Sequence, residues 1–138
     1  MQIEFNILGK VKAKQSCRMT RDGIKYTPSD VKSYANWVRL SFMQKYKGWL
    51  PSAFHEKPLM VEIDAYFQIP KSFSKTKKQM ATDGFIRPTV KPDCDNIAKN
   101  INDALNGIVY PDDKQIVTLT VRKWYNEIEK TTVRISEL

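Results

Sequence analysis

The sequence contains little of what histidine-based and cysteine-based chemistry requires. His55 is the single histidine, and the two cysteines, Cys17 and Cys94, lie far apart along the chain. So few histidines and cysteines disfavour a zinc cluster and a histidine-activated nucleophile. Two cysteines are also too few for a disulfide framework.

Long apolar runs are missing as well. No stretch approaches the roughly 20 apolar residues that a membrane-spanning helix needs. Residues 1–7 alternate like a strand and lack the basic and apolar sections of a signal peptide. We therefore expect a cytoplasmic protein with no membrane partner. A length of 138 residues predicts one domain around one hydrophobic core.

Acidic residues are the minority: 15 Asp and Glu stand against 23 Lys and Arg, for a formal net charge of +8. An excess of this sign favours nucleic acid as a partner, although a solvated surface is the plainer interpretation. The segment 71–90 combines lysines with Phe73 and Phe85, a composition that suits phosphate binding and base stacking but also a solvated loop. The candidate DNA-binding residues are Lys12, Lys14, Arg18, Arg21, Lys71, Lys75, Lys77, Lys78 and Lys91.

Hydrophobic periodicity predicts a single α+β domain, in which a mixed or antiparallel sheet packs with two main helices. The segment 71–90 shows no regular pattern. The predicted elements are a strand at 1–8, a hairpin at 17–27, a helix opened by Thr27-Pro28 and ended by Gly48, a strand at 58–69, a helix at 93–106, and strands at 115–125 and 131–136.

Two acidic segments concentrate the carboxylates of this basic chain. Asp93 and Asp95 converge only if Asp93 lies at or before the helix N-cap and Asp95 lies in the first turn. Lys99 follows Asp95 by one helical turn and lies on the same face. Asp113 would join them if the chain returned alongside the N-terminal half of that helix. Oxygen ligands without histidine select Mg²⁺, or Mn²⁺, for such a site.

Each acidic segment also has a purely structural interpretation. Aspartate at a helix N-terminus is a good cap, and Asp95 with Lys99 is an ordinary surface ion pair. Pro111-Asp112-Asp113 is a plausible turn sequence. The residues alone therefore leave open whether these aspartates bind a metal or only shape the backbone.

Three motifs, in this order, resemble the RusA-type Holliday-junction endonucleases of bacteria and their phages. The motifs are Asp93-x-Asp95-Asn96-x-x-Lys99, Asp103-Ala104-Leu105-Asn106-Gly107 and Asp112-Asp113-x-Gln115-Ile116.

The resemblance implies a homodimer of mixed α/β fold that makes paired, symmetric, Mg²⁺-dependent nicks in four-way DNA junctions. It places the essential carboxylates at Asp93, Asp95 and Asp113 and the essential lysine at Lys99. Asp113 is preferred to Asp112 because it is the second of the pair in the matching motif. Two alternatives remain: a non-catalytic DNA-binding module, and a nuclease of the same chemistry that acts on flaps or other branched DNA.

Overall fold

The computed structural model describes residues 1–12, 18–19, 21, 23, 25–26 and 29–138. For residues 18–19, 25–26 and 29–32 only the backbone is described. The predicted helix start at Thr27-Pro28 lies outside the described residues.

Four strands form the main sheet in the order β1-β6-β4-β5. β1 pairs antiparallel with β6, β6 pairs antiparallel with β4, and β4 pairs parallel with β5. The sheet is therefore mixed, as predicted, and β5 forms one of its edges. The strands are β1 (Gln2–Leu8), β4 (Leu59–Gln68), β5 (Ile116–Asn126) and β6 (Lys130–Glu137). Two short antiparallel strands, β2 (Arg18–Met19) and β3 (Lys25–Tyr26), confirm the predicted hairpin.

Three helices accompany the sheet: α1 (Ser29–Lys45), α2 (Lys75–Thr82) and α3 (Cys94–Leu105). α1 packs against α3 and β1, and α3 also packs against β5. The predicted α+β domain is thereby confirmed. Among the described residues, no helix has the length and apolar character needed to cross a membrane.

The described residues contain three α-helices where two main helices were predicted, and residues 75–82 of the segment predicted to be irregular form α2. Ser74 caps α2 by accepting a hydrogen bond from the Lys77 backbone N–H at 3.2 Å. The helix has a single buried residue, Ala81. A helix that buries so little has almost no apolar stripe, so hydrophobic periodicity does not reveal it.

The core lies between the sheet and the pair α1 and α3. Strand residues that alternate toward the helices are buried, among them Phe5, Ile63 and Val133. The opposite face of the sheet is polar. There the buried carboxylate of Asp64 accepts hydrogen bonds from the Arg134 guanidinium at 3.0 Å and the Trp124 indole at 2.8 Å.

Candidate active site

The start of α3 has the geometry that convergence of its two carboxylates requires. Asp93 is the N-cap residue and has an extended backbone (φ −70°, ψ 155°), while Asp95 lies in the first helical turn. Ile97 and Ile101 are fully buried in the core. The two carboxylates are therefore carried by an element that is fixed to the core by its apolar face.

Neither carboxylate takes the structural role that its position would allow. The Asp93 side chain makes no capping hydrogen bond. Asp95 and Lys99 share a helix face, yet they form no ion pair within 4.0 Å. Both aspartates are exposed, and within the described part of the chain neither carboxylate has a hydrogen-bond or ion-pair partner. The start of α3 therefore presents two uncommitted negative groups to solvent.

Acidic residues on the sheet are arranged differently. Glu4 pairs with Arg134 at 3.0 Å, and Glu62 pairs with Arg122 at 3.3 Å. At the end of β6, Glu137 pairs with Lys57 at 3.0 Å. These carboxylates are already neutralised by protein cations, which makes them poor candidates for binding a metal.

Asp112 and Asp113 differ in what their side chains do. Asp112 caps a short 3₁₀ turn (Asp113–Gln115), accepting the Lys114 backbone N–H at 3.0 Å, while Gln115 Oε1 accepts the Asp112 N–H at 3.2 Å. The Lys114 N–H lowers the pKa of Asp112 because it stabilises the ionised carboxylate. This capping role commits Asp112 to the backbone and leaves Asp113 as the available carboxylate of the pair.

Asp113 is fixed at the C-terminal end of α3. Its backbone N–H donates to Asn106 Oδ1 at 3.0 Å. Partial burial raises the pKa of its carboxyl group, and the nearby Asp112 and Asp103 raise it further. Burial raises the pKa of the Tyr110 hydroxyl, and the charges of Asp113 and Asp103 raise it further. That hydroxyl donates to the Asn102 carbonyl at 3.1 Å.

The chain therefore holds the Asp113 backbone at the C-terminal end of α3, a placement that the sequence had left open. The helix has 12 residues, so its two ends are about 17 Å apart at a rise of 1.5 Å per residue. Asp93 and Asp95 lie at one end and Asp113 lies at the other. Among the described residues, no group of three or more His, Cys, Asp or Glu side chains is placed to hold a metal ion.

A residue that sequence reasoning missed connects the basic arm to this helix. Asn100 is buried on α3, and its side-chain amide donates to the Lys12 carbonyl at 2.8 Å. Lys12 itself is exposed, and its backbone lies beside the middle of α3. A polar residue next to the apolar position Ile101 was the available signal, because a buried amide needs a partner.

The remaining arm residues are less fully placed. Arg21 is exposed, but Lys14 lies outside the described residues and Arg18 is described only by its backbone. Lys91 is exposed and immediately precedes the buried Pro92, at the entry to α3.

The lysines of segment 71–90 fall into two groups. Lys71, Lys75 and Lys78 line an open groove beside α2, together with Glu127. Lys77 instead places its ammonium group 4.2 Å from the centre of the Phe73 ring. Three lysines facing one groove form a surface suited to a phosphate backbone.

Comparison with known proteins agrees with these observations. A relative from Bacillus subtilis (strain 168), the uncharacterized protein YqaN, is 38% identical over 113 residues, which is 80% of this chain and 77% of that protein. The sequence model of the family described as Endodeoxyribonuclease RusA matches residues 6–136, a range that contains the carboxylates at both ends of α3. The chain is a member of the RusA family of endodeoxyribonucleases.

Proposed function

We propose that this protein is a structure-selective endonuclease that makes paired, symmetric, Mg²⁺-dependent nicks in four-way DNA junctions. Membership of the RusA endodeoxyribonuclease family supports phosphodiester hydrolysis. The observation that carries the proposal is the state of Asp93 and Asp95: both are exposed at the start of a rigid helix, and neither is used for capping or ion pairing.

The donor groups at the start of α3 suit Mg²⁺. This ion is commonly held by one or two carboxylates together with water and substrate phosphate. Asp93 and Asp95 supply two carboxylates, and within the described part of the chain neither is paired with a protein cation. When bound, Mg²⁺ would lower the pKa of a water molecule and neutralise charge on the scissile phosphate. Lys99, one turn further along, places a positive charge where it can stabilise the same phosphate.

A homodimer explains how Asp113 takes part. Oxygen ligands of one Mg²⁺ lie about 2.1 Å from the ion, far less than the length of α3. Each chain of a two-fold dimer carries both ends of this helix, so Asp113 of one chain can complete the Asp93 and Asp95 pair of the other. Two such sites, related by symmetry, match the two equivalent strands of a four-way junction.

The basic residues would hold the DNA through its phosphates. The Lys12 carbonyl is bound by Asn100 of α3, Lys91 precedes that helix, and the lysine groove beside α2 extends the positive surface. Phosphate contacts give affinity and orientation but carry little sequence information. The candidate contacts are Lys12, Lys14, Arg18, Arg21, Lys71, Lys75, Lys77, Lys78 and Lys91.

The test is cleavage of an end-labelled synthetic four-way junction in Mg²⁺, beside a linear duplex and a 5′-flap. The wild type should nick the junction symmetrically and leave the duplex intact. Asp95→Asn should cut at least about 100-fold more slowly, a loss typical of removing a group that stabilises the transition state. It should bind the junction as tightly as the wild type or more tightly, because a negative charge facing phosphate is removed.

Glu56→Gln is the matched control, because Glu56 is an exposed acid whose ion-pair partner among the described residues is His55, at 3.7 Å. Its cleavage rate should equal that of the wild type. Wild-type cutting by Asp95→Asn would refute the site. If the wild type binds the junction without cutting any DNA, the protein is a DNA-binding module. If it cuts the 5′-flap faster than the junction, the flap is the substrate.

A further inference from the structure

Phe73 and Phe85, the two aromatic residues of segment 71–90, have opposite environments. Phe73 is half-buried and packs edge-on against Tyr125, with ring centres 5.7 Å apart. Phe85 leaves 79% of its surface exposed. A large apolar ring in this position gains almost nothing for folding, because its area stays in water. The ring face of Phe85 is therefore open to a binding partner.

The turn that carries Phe85 is held tightly to α2. The backbone N–H groups of Phe85 and Ile86 both donate to the Met80 carbonyl, at 3.0 and 3.4 Å. Gly84 has a φ of +84°, and a Cβ atom on it would lie 3.2 Å from Cζ3 of Trp124. Glycine is thus needed here both for its backbone conformation and for close packing.

Trp124 anchors the other side of the same turn. The Arg87 guanidinium lies 3.5 Å from the centre of the Trp124 ring, and Arg87 Nε donates to the Lys123 carbonyl at 2.6 Å. Trp124 is itself fixed by its hydrogen bond to the buried Asp64. An exposed ring on so firmly fixed a support is pre-organised for contact with a partner.

The Phe85 turn and the start of α3 are attached to the same edge strand. Arg87 binds the carbonyl of Lys123, while the Cys94 thiol contacts the carbonyl of Val121 at 4.0 Å. Two residues of a strand span about 7 Å, so β5 holds the turn and the helix start side by side. The preceding helix α2 adds the exposed cations of its lysines.

On this geometry, and resting on the function proposed above, we propose that Phe85 stacks on a base exposed at the branch point of the DNA and makes binding selective for branched over linear DNA. Aromatic side chains bind bases through ring faces, which every base has. In a continuous duplex both faces of each base are already stacked. At a branch point the continuity of stacking is broken, so a face is available to the ring.

The experiment measures binding in EDTA, so that no strand is cut. The probes are a four-way junction with 2-aminopurine next to the branch point and a linear duplex with 2-aminopurine at its centre. The variants are Phe85→Leu, which keeps an apolar side chain without a ring, and Phe85→Trp, which keeps a ring. Leu50→Ala is the matched control, since Leu50 is 68% exposed on the connection between α1 and β4.

Phe85→Leu should bind the junction about tenfold more weakly, within the range found for loss of one base stack, and should bind the duplex like the wild type. The change in 2-aminopurine emission on junction binding should disappear. Phe85→Trp should restore both, and Leu50→Ala should alter neither. The melting temperature of Phe85→Leu should equal that of the wild type, which excludes misfolding.

Three results would overturn the inference. Wild-type junction affinity in Phe85→Leu would show that the ring makes no contact, and it would leave the proposed nuclease function intact. Equal weakening on junction and duplex would show a contact that does not select branches. A wild-type protein that binds both DNAs equally would refute junction selectivity itself, and so this inference together with the junction specificity proposed above.

Discussion

At the scale of single residues, the neighbours Asp112 and Asp113 have identical side chains but different roles, because their environments differ. Asp112 accepts a backbone hydrogen bond that lowers its pKa, whereas partial burial near other carboxylates raises the pKa of Asp113. A raised pKa means that folding disfavours the ionised form. The ionised form of Asp113 therefore costs some stability, as is common for carboxylates at functional sites.

This difference predicts opposite effects of substitution. Asp112→Ala should lower the melting temperature by a few degrees because the cap is lost, and Asp112→Asn should retain it. Asp113→Asn should raise the melting temperature at pH 7 while cleavage is lost. The pKa of Asp113 in the folded protein lies above its ordinary value of 3.8. Protonated Asp113 therefore contributes stability in acid, and this contribution is lost as pH rises through the folded pKa.

Thermal unfolding between about pH 3 and 8 checks this, because ordinary carboxyl groups titrate near pH 4. The melting temperature of Asp113→Asn should exceed that of the wild type by more as pH increases, and the two should be equal in acid. A variant that melts below the wild type at pH 7, or a difference that ignores pH, would contradict the assignment.

At the scale of elements, the sequence predicted what local patterns control. The apolar stripe of α3 and the alternation of the four long strands placed these elements within about two residues. α3, β1, β4 and β6 each bury an apolar face, whereas β5, at the sheet edge, alternates without a buried residue. The positions of Asp93, Asp95 and Lys99 followed from helical geometry alone. The sequence pattern did not predict α2, because its lysines face water and Ala81 is its one buried residue.

The place of Asp113 depends on contacts that no local pattern encodes. Trp49 donates its indole N–H to the Val109 carbonyl at 2.9 Å, and Gln115 donates to the Phe54 carbonyl at 2.6 Å. These contacts join residues about 60 positions apart and hold the segment after α3 at its C-terminal end. The distance between the two acidic groups could therefore be found only from the folded chain.

The turn after α2 gives a prediction about packing. Gly48 and Gly84 both have positive φ, but a Cβ atom on Gly48 meets nothing within 4 Å. Gly48→Ala should cost about 1 kcal/mol for the backbone alone. Gly84→Ala should cost at least about 1 kcal/mol more, because its methyl group presses on Trp124. Urea unfolding measures both, and equal losses would mean that Trp124 moves aside freely.

At the scale of the whole molecule, the two ends of α3 are the important feature. The start of α3, which carries Asp93 and Asp95, lies about 17 Å along the helix axis from the end that holds the Asp113 backbone, and among the described residues no group of three acidic side chains is placed to hold one metal ion. The proposed dimer resolves this by building each site from both chains. Catalysis then depends on association, so activity per chain should fall on dilution below the dissociation constant of the dimer.

Mixing two inactive variants tests the shared site. In a dimer of one Asp95→Asn chain and one Asp113→Asn chain, one site collects both substitutions and the other collects neither. Co-refolded variants should therefore regain single nicks at about a quarter of the wild-type rate, because about half of the dimers are mixed and each has one intact site. Paired nicks should stay absent. A mixture as inactive as either variant alone would place all three carboxylates in one chain.

The contacts that run from the centre of the sheet to its edge have a further consequence for where a strand is cut. Asp64 holds Trp124, Trp124 holds the turn that carries Phe85, and β5 holds the start of α3. With Phe85 against the branch point, this series of contacts fixes the distance between the branch point and the start of α3. The scissile phosphate would then lie a constant number of nucleotides from the branch, whatever the base sequence around it.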